Sequence, residues 1–467
     1  MNSGETSTLQ TYRLIITRRS AAELLVVPRG SGWAVPEVAV RPDQRLAEQL
    51  TARTRESRQL ETYCLFVPGQ ANTREAAPET GYAVMESLLQ NGEAPADTFW
   101  MLSQVALRKG TLESHERAIV QSSLEEMERY TAEPNRGPFG RPDWVKELFQ
   151  WIQEHIGPLG LRVTGAFNQL NGSTAFSLMR IETSGPAVWF KATGEPNRHE
   201  LPVSVTLARL FPRFVPALLG VHSAWNGWLS REAPGATLDN FGDVSAWART
   251  ARTLAELQIA SVGKSDDLLD SGCKDLRMQR LIGEIDLFVA SMSESMAMQK
   301  IEPPAVLTNS ELRILGEELK EACSALEGFG LPDTLGHIDF NPGNILVSPE
   351  ACFFLDWAEA CVANPFITFA YLREHSERQH LEGAGAVETM TAAYLEPWCA
   401  FFSSRDLERG MAFSSLVAVF AYAVSGNAWR SREASRNPAL APYLRSLTRR
   451  MHRDAAGIRG RSEPCLR

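Results

Sequence analysis

One short loop between two apolar runs constrains this chain more than any other feature. Asp339 lies between two large apolar residues, and Asn344 comes directly before the aliphatic run 345–347. A second apolar run, residues 353–355, ends in Asp356. Short apolar runs that are bounded by turn residues are typical of buried strands. The sequence therefore predicts two short strands, each with a polar residue next to one end.

The polar residues in and after this loop point to one kind of chemistry. The spacing of His337, Asp339 and Asn344 matches that of a loop that transfers phosphoryl groups, in which the Asp accepts the proton of an attacking hydroxyl. An Asn and a second carboxylate supply the oxygen ligands that magnesium prefers. We therefore predict that His337 and Asp339 are catalytic and that Asn344 and Asp356 bind metal. The alternative is that His337 and Asp339 only hydrogen-bond a tight turn at residues 341–343.

Two upstream positions could bind the phosphates of a nucleotide. Lys191 ends an apolar strand-like run, where a fixed cation could meet the α- and β-phosphates, and Glu200 opens a predicted helix and could pair with it. One hairpin earlier, Gly172 and Ser173 could present hydrogen-bond donors to phosphate. The alternatives are an exposed edge-strand lysine and, since Asn-Gly is a strong turn signal, an ordinary hairpin turn.

Composition restricts the class of protein. The chain of 467 residues is 44% hydrophobic and 22% charged, which is typical of a globular protein with more than one domain. Its net charge of −9 argues against a nucleic-acid surface and suits a cationic substrate. The seven cysteines are scattered, the N-terminus has no apolar signal, and the apolar run 416–424 is too short to span a membrane. We expect a cytoplasmic protein without nucleic-acid or membrane partners, and a homo-oligomer stays open.

Strand-like and helix-like patterns divide the chain into parts. Strands are predicted within residues 12–40 and 63–67, and helices at 45–57 and 115–130. Three prolines and two glycines make residues 134–142 the clearest linker. We predict an α+β fold with these parts: an N-terminal α+β domain (1–133), a linker (134–142), a small β-rich lobe with an entry helix (143–233) and a large helical lobe (234–467).

From about Trp144 onward, the chain resembles the aminoglycoside phosphotransferase and choline kinase-like family, which is related to the protein kinases. The residues that carry the resemblance follow in order: Lys191, Glu200, the segment 228–238 with Pro234-Gly235, His337, Asp339, Asn344 and Asp356. The resemblance implies a bilobal protein-kinase-like fold. It also implies Mg²⁺- and ATP-dependent transfer to a hydroxyl of a small molecule, with GTP left open as the donor. Backbone groups of Ser230, Glu232 and Ala233 would pass the adenine.

Three residues depart from the family pattern. Ile338 stands where a small residue is usual, Gln258 replaces a frequent His, and Thr368 stands where many members have Asp. None of these changes removes a core catalytic residue. The alternative function is a non-catalytic, nucleotide-binding pseudokinase or sensor module.

Residues 1–133 partly resemble a Nudix-type domain, with the segment 33–37 after an early hairpin. The predicted helix at 45–57 offers only Glu48 and Glu56, so the acidic metal-binding helix of such domains is missing. We therefore predict a degenerate, non-catalytic domain that binds a ligand, covers the kinase cleft or mediates dimerisation.

Overall fold

The computed structural model describes residues 9–69, 80–379, 381, 385–431 and 436–462. The chain forms two compact units. The first contains Met1–Leu201 and Ala217–Glu232, and the second contains Pro202–Pro216 and Ala233–Arg467. Strands dominate the first unit and helices the second, which confirms the predicted α+β class with a β-rich and a helical part.

The N-terminal part of the first unit is built on one mixed sheet. Its elements are β1 (Gln10–Arg18), β2 (Glu23–Arg29), β3 (Gly32–Ala34), β4 (Glu37–Val40), α1 (Leu46–Arg58), β5 (Thr62–Phe66), β6 (Thr80–Ser87), β7 (Phe99–Leu102), α2 (Ser103–Ala106) and α3 (Ser114–Ala132). Strand β1 pairs antiparallel with β2 and β4 and parallel with β6. Strand β5 lies at one end of the order β3-β2-β1-β6-β5.

Helices on both faces of this sheet explain the continuous apolar run 14–16 in β1. Side chains alternate between the faces of a strand. Leu14 and Ile16 therefore pack on the face that α1 covers, in a cluster that includes Leu50. Ile15 points to the other face and belongs to a cluster that includes Val120 of α3. The helices and strands predicted for residues 12–130 are thus confirmed.

The rest of the first unit is an antiparallel sheet that follows an entry helix. Its elements are α4 (Trp144–Ile156), β8 (Val163–Gly172), β9 (Ser177–Thr183), β10 (Val188–Ala192), the start of α5 (Glu200–Leu210), β11 (Leu218–His222) and β12 (Gly227–Arg231). The strand order is β11-β12-β10-β9-β8, so β8 lies at an edge. Helix α4 buries Trp144, Leu148, Ile152 and Ile156 at helical spacing.

The predicted linker is packed rather than extended. Phe139 is 1% exposed and makes edge-to-face contacts with Trp144, Phe190 and Trp225, whose ring centroids lie 4.9–6.2 Å away. Residues on both sides of the linker share one hydrophobic cluster. The segment 134–142 is therefore not a break in packing, and the idea that residues 1–133 fold alone stays a prediction.

The second unit is mostly helical and carries two small sheets. Its remaining elements are β13 (Ala236–Thr237), α6 (Val244–Ala260), α7 (Ser265–Asp270), β14 (Lys274–Leu276), α8 (Met278–Ala297), α9 (Asn309–Gly328), β15 (Thr334–His337), β16 (Ile345–Val347), β17 (Cys352–Phe354), β18 (Ala360–Ala363), α10 (Pro365–Gln379), α11 (Ala386–Trp398), α12 (Ser404–Val424) and α13 (Leu440–Ser462). One sheet has the order β13-β16-β17, and the other has the order β14-β18-β15.

Helix α12 contains the longest apolar run of the sequence. By length and composition it could cross a membrane, but 61% of its most apolar window is buried in the protein. Residues 416–421 are all buried in the core of the second unit, which confirms the predicted buried helix. The six cysteines within the described residues are free thiols, five of them buried, and Cys465 lies outside those residues.

We expect Phe139→Ala to lower the free energy of unfolding by about 3–5 kcal/mol, because the ring fills a closed aromatic cluster. Chemical denaturation followed by tryptophan fluorescence measures this change. Arg136→Ala, in the same segment but exposed, is the matched control and should change stability little. An equal, small effect of both changes would mean that the segment is a loose linker.

Candidate active site

Backbone hydrogen bonds fix the loop around Asp339 at its start. The N–H of Leu335 donates to Ser261 Oγ at 2.8 Å, and the N–H of His337 donates to Thr368 Oγ1 at 2.9 Å. The N–H of Ile338 donates to the carbonyl oxygen of Glu359 at 3.2 Å. These buried groups would each cost free energy if they were left unpaired. Their partners therefore hold the chain that enters the loop in one conformation.

Asp339 is the exposed residue in this buried stretch. Its neighbours Ile338 and Phe340 are 1% and 2% exposed, whereas Asp339 faces solvent. The predicted turn follows at once, since the N–H of Asn341 donates to the carbonyl oxygen of Asp339 at 2.8 Å. The carboxylate is thus presented on a rigid loop, which is the placement that a catalytic base needs.

His337 is buried and acts on both halves of the predicted site. Its Nδ1 accepts a hydrogen bond from the N–H of Asp339 at 3.2 Å, and its Nε2 lies 2.7 Å from the carbonyl oxygen of Asp356. Burial lowers the pKa of His337, so the neutral ring with a proton on Nε2 satisfies both contacts. We assign His337 a positioning role, because both ring nitrogens are already engaged.

The two predicted metal ligands lie at the same end of one hairpin. Strands β16 and β17 pair antiparallel with Ile345 opposite Phe354. The N–H of Leu355 extends this ladder by donating to the carbonyl oxygen of Asn344 at 2.8 Å. Asp356 comes next and is exposed, with a left-handed backbone at φ 60° and ψ 66°. Positive φ is uncommon for residues other than glycine, although Asp adopts it more often than most, and such conformations concentrate at functional sites.

This end of the hairpin fits a magnesium ion by its chemistry. It offers a carboxylate and an amide oxygen, and magnesium in nucleotide sites is usually held by one or two carboxylates together with phosphate oxygens. Within the described part of the chain, no group of three or more His, Cys, Asp and Glu side chains could hold a metal ion by protein ligands alone. Asn344 and Asp356 therefore suit an ion that also binds a phosphorylated substrate.

The predicted lysine–glutamate pair is present in the first unit. Lys191 Nζ lies 2.5 Å from Glu200 Oε1, and Glu200 is 1% exposed at the first residue of α5. Lys191 Nζ also lies 5.7 Å from the ring centroid of Trp228, its partner on β12. The ion pair is confirmed, and it holds the ammonium group near the end of β10. A role for Lys191 and Glu200 in nucleotide binding stays a prediction.

The predicted adenine-binding segment is held from one side. Ser230 on β12 lies opposite Trp189 of β10, and the N–H of Glu232 donates to the carbonyl oxygen of Ala187 at 3.1 Å. The Glu232 carboxylate accepts two hydrogen bonds from Arg180, at 2.5 and 3.0 Å, which lower its pKa. The side chain of Glu232 is thus occupied, and its predicted role rests on backbone groups.

The turn after β8 has the geometry of a closed hairpin. The N–H of Phe176 donates to Ser173 Oγ at 3.0 Å, so this hydroxyl holds the turn together. Gly172 ends β8, and a Cβ there would lie 3.1 Å from Cys64 Cβ and 3.2 Å from Ala47 Cβ. The hairpin alternative is therefore observed. A phosphate contact by Gly172 or Ser173 stays a prediction.

A comparison with models of protein families finds a match for the part of the chain that contains the loop. Residues 207–410 match the model of the phosphotransferase enzyme family. This segment is therefore similar to that family in sequence. It contains Asp339, Asn344 and Asp356 and begins after Lys191 and Glu200. No curated protein matches the chain by sequence, and the Nudix-type resemblance of residues 1–133 stays a prediction.

Several solved structures resemble the chain at low identity. A choline kinase from Cryptosporidium parvum is 10% identical, with 68% of this chain and 97% of that chain covered and a TM-score of 0.48. An ethanolamine kinase from Plasmodium vivax is 13% identical, with 75% of this chain and 96% of that chain covered and a TM-score of 0.46. An aminoglycoside phosphotransferase from Alicyclobacillus acidocaldarius is 16% identical, with 61% of this chain and 90% of that chain covered and a TM-score of 0.38. Values this low carry no argument about the substrate.

Two departures of the phosphotransferase segment from its family pattern have a structural explanation. Thr368 supplies through its hydroxyl the acceptor for the N–H of His337. Gln258 is fully buried, donates to the carbonyl oxygen of Pro365 at 2.9 Å and accepts from the Tyr394 hydroxyl at 2.7 Å. Thr368 therefore supports the start of the loop, and Gln258 binds Pro365 and Tyr394 of α10 and α11, although both side chains differ from the common ones.

The second unit also has a cavity beside Asp339 that the sequence did not reveal. Its volume is about 270 Å³, and its charged lining residues are Asp339, Glu359 and Lys274, of which the last two form an ion pair. Tyr422 and Tyr443 lie on its wall. These residues come from separate helices and strands, so no local sequence signal marks them. Only a short spacing from Asp356 could have suggested Glu359.

We expect Thr368→Val to destabilise the protein by about 1–3 kcal/mol, because the buried N–H of His337 would lose its acceptor while the volume is kept. Thermal or chemical unfolding measures this loss. Thr389→Val, at an exposed position of α11, is the control. If both changes have the same small effect, Thr368 does not hold the loop.

Proposed function

We propose that this protein is a Mg²⁺- and ATP-dependent phosphotransferase that phosphorylates a hydroxyl group of a small molecule. One observation carries the proposal. Asp339 is exposed on a loop that also contains His337. The His337 ring contacts Asp356, which follows the β16–β17 hairpin, and Asn344 and Asp356 lie together at that end of the hairpin. The matched family and the Lys191–Glu200 ion pair support it.

Each residue would have a distinct part in the reaction. The acceptor hydroxyl would be oriented by Asp339, which takes its proton as the oxygen bonds to the γ-phosphorus and the bond to the β-phosphate oxygen breaks. Lys191, held by Glu200, would bind the phosphates of the donor. His337 keeps the backbone of Asp339 and Asp356 in place from within the core.

A magnesium ion, held by Asn344 and Asp356, would supply positive charge that neutralises the phosphoryl oxygens. The contribution of the chain is the hairpin itself, because the hydrogen bond from Leu355 to Asn344 fixes the spacing of the two ligands along the strand ladder. ATP is the proposed donor on the strength of the family pattern, and a parallel assay with GTP tests that choice.

The cavity beside Asp339 suggests a compact acceptor with a positive charge. A volume of about 270 Å³ lies just below the usual range for drug-sized ligands, roughly 300–1,000 Å³. Two carboxylates, Asp339 and Glu359, outnumber the single ammonium group of Lys274 among the charged lining residues. The Tyr422 pKa is raised by its hydrogen bond with Tyr443, by burial and by the negative charge of both carboxylates. Aromatic rings beside carboxylates favour ammonium groups.

We expect Asp339→Asn to lower kcat by roughly 10²- to 10⁴-fold, because the amide cannot accept the hydroxyl proton. Nucleotide affinity should change little. Coupled detection of ADP release with MgATP and a panel of small alcohols measures turnover, and calorimetry measures MgADP binding.

Asp270→Asn, at an exposed position at the end of α7, is the matched control for the loss of one carboxylate. Unchanged turnover in Asp339→Asn would contradict the base assignment. A wild-type protein that binds MgATP but phosphorylates none of the panel would favour the alternative of a non-catalytic nucleotide-binding module.

We expect Glu359→Gln to raise KM for a cationic amino alcohol by roughly tenfold, because the charged lining of the cavity becomes neutral overall. KM for an uncharged alcohol of the same size should change much less. Steady-state kinetics with the two acceptors measures both values, and Glu321→Gln on the exposed face of α9 is the control. Equal changes for both acceptors would contradict selection by charge.

A further inference from the structure

We propose that the N-terminal part of the first unit, residues 9–132, is a scaffold that positions the turn between β8 and β9, and that Gln169 is the positioning residue. The inference concerns this chain's own contacts. It rests on the proposed function in one respect only, which is that this turn would cover the phosphates of the nucleotide.

The central contact joins two sheets through one amide side chain. Gln169 of β8 is 1% exposed, and its Oε1 accepts the N–H of Cys64 at 2.7 Å while its Nε2 donates to the Cys64 carbonyl oxygen at 2.9 Å. Cys64 lies on β5, which ends the N-terminal sheet, and β8 ends the other. The amide therefore pairs with the backbone of β5 as a neighbouring strand would do.

Two weaker contacts run along the same strand. Asn168 Nδ2 donates to Glu48 Oε1 of α1 at 3.0 Å. Arg55, also on α1, donates to the carbonyl oxygen of Phe167 at 3.4 Å. Three successive residues of β8 are thus bound to the N-terminal part. Such a continuous set of contacts fixes the direction of β8 as it approaches the turn.

Close packing at the end of β8 reinforces these hydrogen bonds. A Cβ at position 172 would approach Cys64 and Ala47 to 3.1 and 3.2 Å, which is closer than ordinary contact. Gly172 therefore lets β8 lie directly on β5 and α1. Its need for a small residue follows from this contact with the N-terminal part, in addition to any contact with phosphate.

The other side of the turn is held by the segment that composition marks as a linker. The N–H of Phe139 donates to the carbonyl oxygen of Thr174 at 3.1 Å. A Cβ at Gly137 or Gly140 would lie within 3 Å of both Tyr130 and Thr174. The glycines of this segment are therefore explained by close approach to the turn, so the turn is enclosed from two directions by residues outside the sheet to which it belongs.

A turn with few hydrogen-bond donors to phosphate depends most on contacts that hold it in one conformation. Backbone N–H groups bind phosphate well only if they are already oriented, because ordering a flexible loop on binding costs conformational entropy. The scaffold would pay that entropy once, on folding. We therefore expect Gln169 to affect nucleotide binding without touching the nucleotide.

The test compares Gln169→Leu with Gln150→Leu, which makes the same chemical change at an exposed position of α4. Loss of the amide leaves both backbone groups of Cys64 without their partner. We expect KM for ATP to rise roughly tenfold or more, with kcat and the acceptor KM nearly unchanged. Amide hydrogen exchange of residues 171–176, in the absence of nucleotide, should become faster only in Gln169→Leu.

Glu48→Ala is a second variant that keeps the buried amide in place. It removes only a surface contact to β8, so the protein should fold normally and show a smaller change in the same direction. Gln169→Glu should keep part of the wild-type KM only when its carboxyl is protonated, because that form both accepts the Cys64 N–H and donates to the Cys64 carbonyl oxygen.

The two readouts separate this proposal from the proposed function. Faster exchange at 171–176 in Gln169→Leu supports the scaffold even if the wild-type protein binds no nucleotide, a result that would overturn the phosphotransferase function alone. Unchanged exchange in both Gln169→Leu and Glu48→Ala, with an unchanged KM or Kd for nucleotide, overturns the scaffold. Equal increases in the acceptor KM and the ATP KM would also overturn it, since they would indicate general loosening.

Discussion

The contacts of the His337 ring are the interaction on which the candidate site depends. Its two nitrogens bind the backbone of Asp339 and of Asp356, so one buried imidazole holds both residues in fixed positions relative to each other. Backbone groups do not change with side-chain substitution. This explains how the loop keeps its geometry although Thr368 and Gln258 replace residues more usual in the family.

In the first unit, too, one buried side chain holds backbone groups in place. A single amide, Gln169, joins two sheets whose edge strands would otherwise present unpaired backbone groups. The packed linker adds support from the other side of the turn. If the turn between β8 and β9 binds phosphate, as we propose, it needs orientation from elsewhere because it lacks a full glycine motif. The contacts with the N-terminal part would provide that orientation and would give this part a mechanical role.

Local chemistry made much of this predictable. The spacing of Asp339, Asn344 and Asp356 is a short-range pattern, and the strands next to them are short apolar runs that can be recognised in the sequence. Lys191 and Glu200 are nine residues apart, at a strand end and a helix start, so their ion pair could also be predicted. The predicted linker contains the packed residue Phe139, because proline and glycine occur both in flexible and in tightly packed segments, and the domain division stays a prediction.

The sequence by itself determined the helices and strands and the α+β class, because each depends on neighbours a few positions away. Only the tertiary structure decided that His337 is buried with both ring nitrogens engaged, that Glu359 and Lys274 line a cavity beside Asp339, and that Gln169 binds Cys64. The hydrogen bonds among these residues join positions from 19 to 105 apart and depend on how whole elements pack. No local pattern records them.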